Sequence, residues 1–165
     1  MDHIEQRKGR WSNLSRGPSM VDVSPKPIVH RQATATGRIL LKEDTIRRIR
    51  SGEIEKGDPI ATARVAAVLA AKATSTIVPL CHQLPITSVQ VEENLGRGGI
   101  ELTVTVKATA KTGVEMEALT AVSAALLTIW DMTKQYEKDE AGQYPTTRIE
   151  NVQVLDKQKG AGGSE

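Results

Sequence analysis

The sequence predicts an α+β fold, an antiparallel sheet with helices packed on one face, and three observations carry that expectation. Residues 99–110, GIELTVTVKATA, place Ile100, Leu102, Val104 and Val106 on one side in the period-two alternation of a half-buried strand. The Gly-rich turn LGRGG (95–99) joins this strand to the run LPITSVQVEEN (84–94), giving a hairpin. Two long stretches of small and apolar residues, 56–76 and about 113–135, open on helix start signals and alternate with the strands. At 165 residues the chain is long enough to bury one core without metals or disulfides.

Taken in order, TATGRILLK (34–42) has strand character with partial alternation. KEDTIRRIRSG (42–52) reads as a short helix. Glu43 and Asp44 suit its positive end, Ile46 and Ile49 share an inward face, and Gly52 stops it. The second helix, 56–76, has Asp58 as N-cap and Pro59 at the first helical position, and its Ala-rich face implies close approach to another element. After the hairpin comes the long helix, where Thr112 and Glu115 have the spacing of a capping box. TRIENVQVLDK (147–157) closes the domain as a strand. The order is β-α-α-β-β-α-β. Counting the consecutive helices as one crossover gives the split, ferredoxin-like arrangement β-α-(α)-β-β-α-β. Residues 1–19 lack periodicity and read as a flexible segment, 20–157 as a single domain, and 158–165 as a flexible Gly-rich tail.

Composition excludes several classes. Twenty-two basic and twenty acidic residues leave a net charge of only +2, so electrostatics give no argument for nucleic acid. With no Phe, two Trp and two Tyr, a base-stacking platform has almost nothing to be built from. The one cysteine, Cys81, rules out an internal disulfide and favours a reducing compartment. No uninterrupted apolar run has the length of a membrane span, and the N-terminus is not a signal peptide, so the expectation is a soluble, cytoplasmic protein without membrane partners.

The long helix carries acids and a base at both ends. Glu115 is accounted for equally well by a cap or by a ligand role. Glu117 is either a solvated first-turn acid favoured by the helix dipole or a working carboxylate. Asp131 sits near the negative end, where a carboxylate is disfavoured, and Lys134 lies three residues on, within reach on one face. The pair is either an exposed ion pair or an acid–base couple. In IVPLCHQLP (77–85), Cys81 and His82 stand between two prolines; they cannot close a tetrahedral zinc site alone, and a structural turn is the alternative to a proton-relay role. Lys56, in KGDP just before a helix N-terminus, has the makings of a phosphate contact, with Arg31, Arg64 and Lys72 as further cationic candidates. No P-loop is present.

Taken together, MVDVSPK (20–26), KGDPIATAR (56–64), AAKATSTIVPLCHQL (70–84), KTGVEMEALTAVSAALLTIWDMTK (111–134) and VLDK (154–157) resemble the MoaC family, the cyclic pyranopterin monophosphate synthases of molybdenum cofactor biosynthesis. The resemblance implies a lyase. It converts 3′,8-cyclo-7,8-dihydroguanosine 5′-triphosphate, supplied by a radical SAM GTP cyclase, into cyclic pyranopterin monophosphate with release of pyrophosphate, and needs no metal or redox cofactor. It implies a homo-oligomer, a hexamer built as a trimer of dimers, with sites between subunits. By position, the family's catalytic residues fall on Asp131 and Lys134. Its substrate-binding positions fall on Leu80, Cys81, His82, Met116, Glu117, Lys56, Glu115, Arg31 and Lys157. Gln83 and Thr133 depart from the family pattern without removing a catalytic group. The C-terminus departs more, since only Lys159 is available to replace a second lysine there.

About 21 Å of rigid helix separates Glu117 from Asp131, so one nucleotide cannot touch both on one chain, and a composite site between subunits is expected. In that reading Asp131 is the general base, Lys134 a general acid with its pKa lowered by desolvation, and His82 a positioning or relay group. Lys56, Arg31 and Lys157 stabilise phosphate charge. The rival reading is a non-catalytic ferredoxin-like oligomer that binds nucleotides or RNA.

Overall fold

A computed structural model describes residues 17–160. The elements are β1 (Val29–Leu40), α1 (Glu43–Ser51), α2 (Pro59–Ile77), β2 (Ile86–Gly96), β3 (Gly99–Ala110), α3 (Glu115–Glu137) and β4 (Arg148–Lys159). The strands form one antiparallel sheet in the order β2-β3-β1-β4. This is the expected ferredoxin-like α+β arrangement.

Local signals set most boundaries. Asp58 Oδ1 accepts from the backbone N–H groups of Ile60 and Ala61 at 2.8 and 3.1 Å, capping α2, and Pro59 occupies the first turn. Gly52, in the left-handed region at φ 71°, ends α1 by donating back to the last turn. At the tip of the β2–β3 hairpin, Gly98 adopts φ 71°. β1 begins at Val29, five residues before the strand read from sequence, because its pairing with β3 runs unbroken from Val29 opposite Ala110 to Leu40 opposite Gly99. β4 continues past residue 157 to Lys159, and the Gly160 N–H donates to the His30 carbonyl at 2.9 Å. Residues 1–16 of the flexible segment and 161–165 of the tail lie outside the described residues.

The capping box does not form. The helix starts at Glu115 with Val114 in the cap position, and no side chain caps it. Thr112 falls two residues before the cap position, and the Glu115 carboxylate turns instead to Lys157, 3.2 Å away.

The core lies between the sheet and the helices. Ala33, Ala35, Ile39, Ile100, Leu102, Val104 and Val106 face Ala118, Val122, Ala125, Leu126 and Ile129 of α3, all fully or almost fully buried. α2 lies against α3 through Ala63, Ala67 and Ala71, small residues that let the two helices approach closely. Among the described residues α2 alone has the length and apolar composition for a membrane crossing, but two outward residues, Arg64 and Lys72, interrupt it and its alanines are spent on α3. Gly37 makes room where α3 crosses β1. A Cβ there would lie 2.7 Å from Leu126 Cδ1 and 3.0 Å from Val152 Cγ2.

Candidate active site

The residues singled out above gather into two groups at opposite ends of α3. At its C-terminal end Asp131 stands between two ammonium groups. Oδ1 accepts from Lys134 Nζ at 2.7 Å, and Oδ2 accepts from Lys56 Nζ at 2.8 Å; Lys56 also donates to the Asp131 carbonyl at 2.9 Å. The Lys134 and then the Lys56 hydrogen bonds hold the Asp131 carboxyl down at about 2. The Lys134 ammonium is pushed up in turn, by Asp131 first, with Tyr144 contributing. This corrects the expectation that Lys134 is lowered by desolvation. Its side chain is 46% exposed and that of Asp131 57%, so pairing outweighs burial in the single chain.

At the N-terminal end of α3 a cleft of about 570 Å³ is lined by Leu80, Cys81, His82, Met116, Glu117 and Glu115. Val21, Val23 and Lys26 of the segment before β1 close its other side. Lys111 Nζ donates to the Ser24 carbonyl at 2.9 Å, fastening that segment across the opening. Glu117 is only 3% exposed, and burial pushes its carboxyl up, with Glu115 adding repulsion. Burial also raises the Cys81 thiol, as does the charge of Glu117, so this cysteine is not set up as a thiolate nucleophile.

A neighbouring cavity of about 310 Å³ shares Lys26, Thr112, Gly113 and Glu115 with the cleft. Its cations are Lys26, Arg31, Lys111, Lys157 and Lys159, against the one carboxylate of Glu115. Arg31 is aimed by its bonds to the carbonyls of Ala110 and Lys111 at 3.5 and 3.2 Å. Lys159 pairs across the strands with Arg31, and Lys157 with Ala33, so both lysines lie on the side of β4 that faces this cavity.

The structure therefore splits the expected cationic set. Arg31 and Lys157 belong to the Glu117 end of α3, whereas Lys56 belongs to Asp131. Lys26 and Lys111 join the first group without having been singled out as site residues, and Lys159, raised only as a replacement for a second C-terminal lysine, joins it too. The signal for Lys26 and Lys111 was present, since both lie in MVDVSPK and KTGVEMEALT. Arg64 is engaged by Glu93 at 2.6 and 2.7 Å and lines neither cavity. A further cleft beside α1 contains Arg47 and Arg50, but one is held by Asp44 and the other by the Leu95 carbonyl.

Chemically, the first group offers an ionised carboxylate bracketed by two proton donors. The second offers a buried acid with a raised pKa, an imidazole and an adjoining cationic basin suited to phosphate oxygens.

Comparison with known proteins bears on the family of the chain. Residues 20–160 match the model of the MoaC family. The chain is 56% identical over 140 residues to a protein of Methanococcoides burtonii named probable cyclic pyranopterin monophosphate synthase, covering 85% of this chain and 88% of that protein. It is 58% identical over 151 residues to a protein of the same name from Methanoregula boonei, covering 91% and 97%. A protein of Methanothermobacter thermautotrophicus, 58% identical over 144 residues and covered to 91%, is named probable cyclic pyranopterin monophosphate synthase accessory protein; the match takes in 87% of this chain.

Proposed function

The chain belongs to the MoaC family, and from that premise we propose that it works in molybdenum cofactor biosynthesis as a cyclic pyranopterin monophosphate synthase. Its substrate in this reading is 3′,8-cyclo-7,8-dihydroguanosine 5′-triphosphate, made by a radical SAM GTP cyclase, and pyrophosphate leaves as the cyclic phosphate forms. The observation that carries the reading is the pair of complementary half-sites at the two ends of α3, with acid–base groups at both ends and phosphate-binding cations beside one of them.

The half-sites are about 21 Å apart along one rigid helix, and the cleft lined by Glu117 does not include Asp131. One nucleotide therefore bridges them only if two chains contribute: one gives Asp131, Lys134 and Lys56, the other the cleft of Leu80, Cys81, His82, Met116 and Glu117. Val65, Leu69 and Ile77 on α2 and Leu127 on α3 leave an apolar surface that supports self-association, in this reading a hexamer assembled as a trimer of dimers.

In the reaction Arg31, Lys157 and their neighbours hold the phosphates, and Glu117 and His82 hold the ring system. Asp131 and Lys134 move protons while rings open and reclose. A carboxyl at about 2 is a weak base, so the exposed triad of the single chain is a resting arrangement. Covering it with substrate and a second subunit disfavours both charges. That moves the carboxyl up and the ammonium down toward values at which a proton passes between them and substrate.

Incubation with the cyclised nucleotide tests the activity, with pyrophosphate release as the expected result; unaltered substrate refutes it. Mixing inactive Asp131→Ala and Glu117→Ala chains tests the composite site. Recovery of activity in the mixed oligomers is expected, and no recovery counts against sharing between chains. A second reading is a non-catalytic accessory role, favoured by the name of the Methanothermobacter relative and by the ion-paired state of Asp131. In that case the chain alone releases no pyrophosphate.

A further inference from the structure

The ion pair between Lys56 and Asp131 joins two side chains that are 43% and 57% exposed. Exposed pairs of this kind are screened by solvent and contribute little, less than is needed to order the segment that carries the lysine. Something else fixes residues 53–58, and the last turn of α3 supplies it. The Glu55 N–H donates to Tyr136 Oη at 3.0 Å, and Gln135 Nε2 donates to Glu55 Oε2 at 3.0 Å. The Arg48 guanidinium, on the last turn of α1, covers the Tyr136 ring at 5.2 Å from its centroid. At the other end of α1, the wholly buried Glu137 accepts from the Lys42 N–H and from the Thr45 hydroxyl. Lys42 Nζ donates to the carbonyls of Tyr136 and Lys138 at 3.2 and 3.0 Å. Three successive residues of α3 thus grip α1 at its start, at its end and in the loop beyond.

We propose that Tyr136, with Gln135 and Glu137, is a positioning device that holds Lys56 against Asp131. Tyr136 does not touch the reacting groups; its hydroxyl fixes the backbone one residue before Lys56. The charged and titratable groups around the site are Lys134 on α3, Glu55 on the loop, Arg48 on α1 and Tyr144 on the α3–β4 connection. Among them Lys134 is held to Asp131 by its own helix spacing, independently of the clamp. Loosening the clamp therefore frees Lys56 and leaves Lys134 in place. The inference bears on turnover only through the function proposed above, but the placement of Lys56 is measurable without it.

The test is the rate of acetylation of individual lysine amines by acetic anhydride at neutral pH, read by mass spectrometry in the full-length protein. Tyr136→Phe keeps the ring under Arg48 and removes only the acceptor, and Gln135→Ala removes the second tether to Glu55. Each is expected to raise the Lys56 rate about two- to tenfold, the effect of losing one hydrogen bond, with Lys134 unchanged. A Lys56 rate equal to that of the unmodified protein overturns the proposal, and so does an equal rise at Lys134, which reports general loosening. Turnover adds a second criterion. Tyr136→Phe should lower kcat in the wild-type background and cause no further loss in Lys56→Met, and an additive loss refutes action through Lys56. If the wild-type protein releases no pyrophosphate, the proposed function fails while acetylation still decides the clamp.

Discussion

Glu137→Leu should be among the most damaging single substitutions in this protein. The carboxylate has 0% exposure. Oε1 and Oε2 share the Lys42 N–H at 3.1 and 3.2 Å, Oε1 takes the Thr45 hydroxyl, and Oε2 takes the Thr147 hydroxyl at 2.5 Å. Leucine fills a similar volume but strands three donors, of which Thr45 and Thr147 are themselves buried. At roughly 1–2 kcal/mol for each buried donor left without a partner, the loss is about 3–6 kcal/mol. That is a large share of the ~5–15 kcal/mol typical of a whole domain. Urea unfolding at fixed protein concentration measures it as a fall in the midpoint. The same reasoning requires a rescue: with Thr45→Val and Thr147→Val added, the two hydroxyl donors vanish with the acceptor while the Lys42 N–H remains, and most of the hydroxyl-derived loss should return. A Glu137→Leu protein within about 1 kcal/mol of the parent, or a triple variant no more stable than the single one, would refute the argument.

Other substitutions probe separate links. Glu117 has a raised carboxyl, so the folded chain holds its proton to higher pH than the unfolded chain does. Its contribution is intact below the ordinary value of 4.5 and is lost as pH rises through the folded value. Glu117→Gln should therefore raise the melting temperature at pH 7 and abolish turnover, and the gain in stability should vanish below about pH 4; a gain independent of pH contradicts the assignment. Gly37→Ala drives a methyl into Leu126 and Val152 and should cost about 1–3 kcal/mol, measured by the same unfolding curves. Asp58→Ala leaves the Ile60 and Ala61 amides uncapped at about 1 kcal/mol, and Asp58→Asn should restore most of it.

What the sequence determined by itself is what depends on residues a few positions apart. The strand β3 follows from alternation, the start of α2 from Asp58 and Pro59, and the end of α1 from Gly52, because each signal completes its own hydrogen bonds or buries its own face. The pairing of Asp131 with Lys134 is of this kind, since helix spacing alone brings them together. The capping box at Thr112 was equally local in form and failed. Its carboxylate has a competitor, Lys157, delivered by β4 from 42 positions away. The tertiary structure alone decided that Lys56 joins Asp131 rather than Arg31 and Lys157, that Lys111 and Lys159 enter the phosphate-side cavity, and that Glu137 is buried among Lys42, Thr45 and Thr147. The contacts of Asp131 with Lys56 and of Glu137 with Lys42 and Thr45 bridge 75 to 95 positions. Their partners are chosen by strand order and helix crossing, which no short window of sequence contains, and their strength comes from exclusion of water that only the assembled core provides.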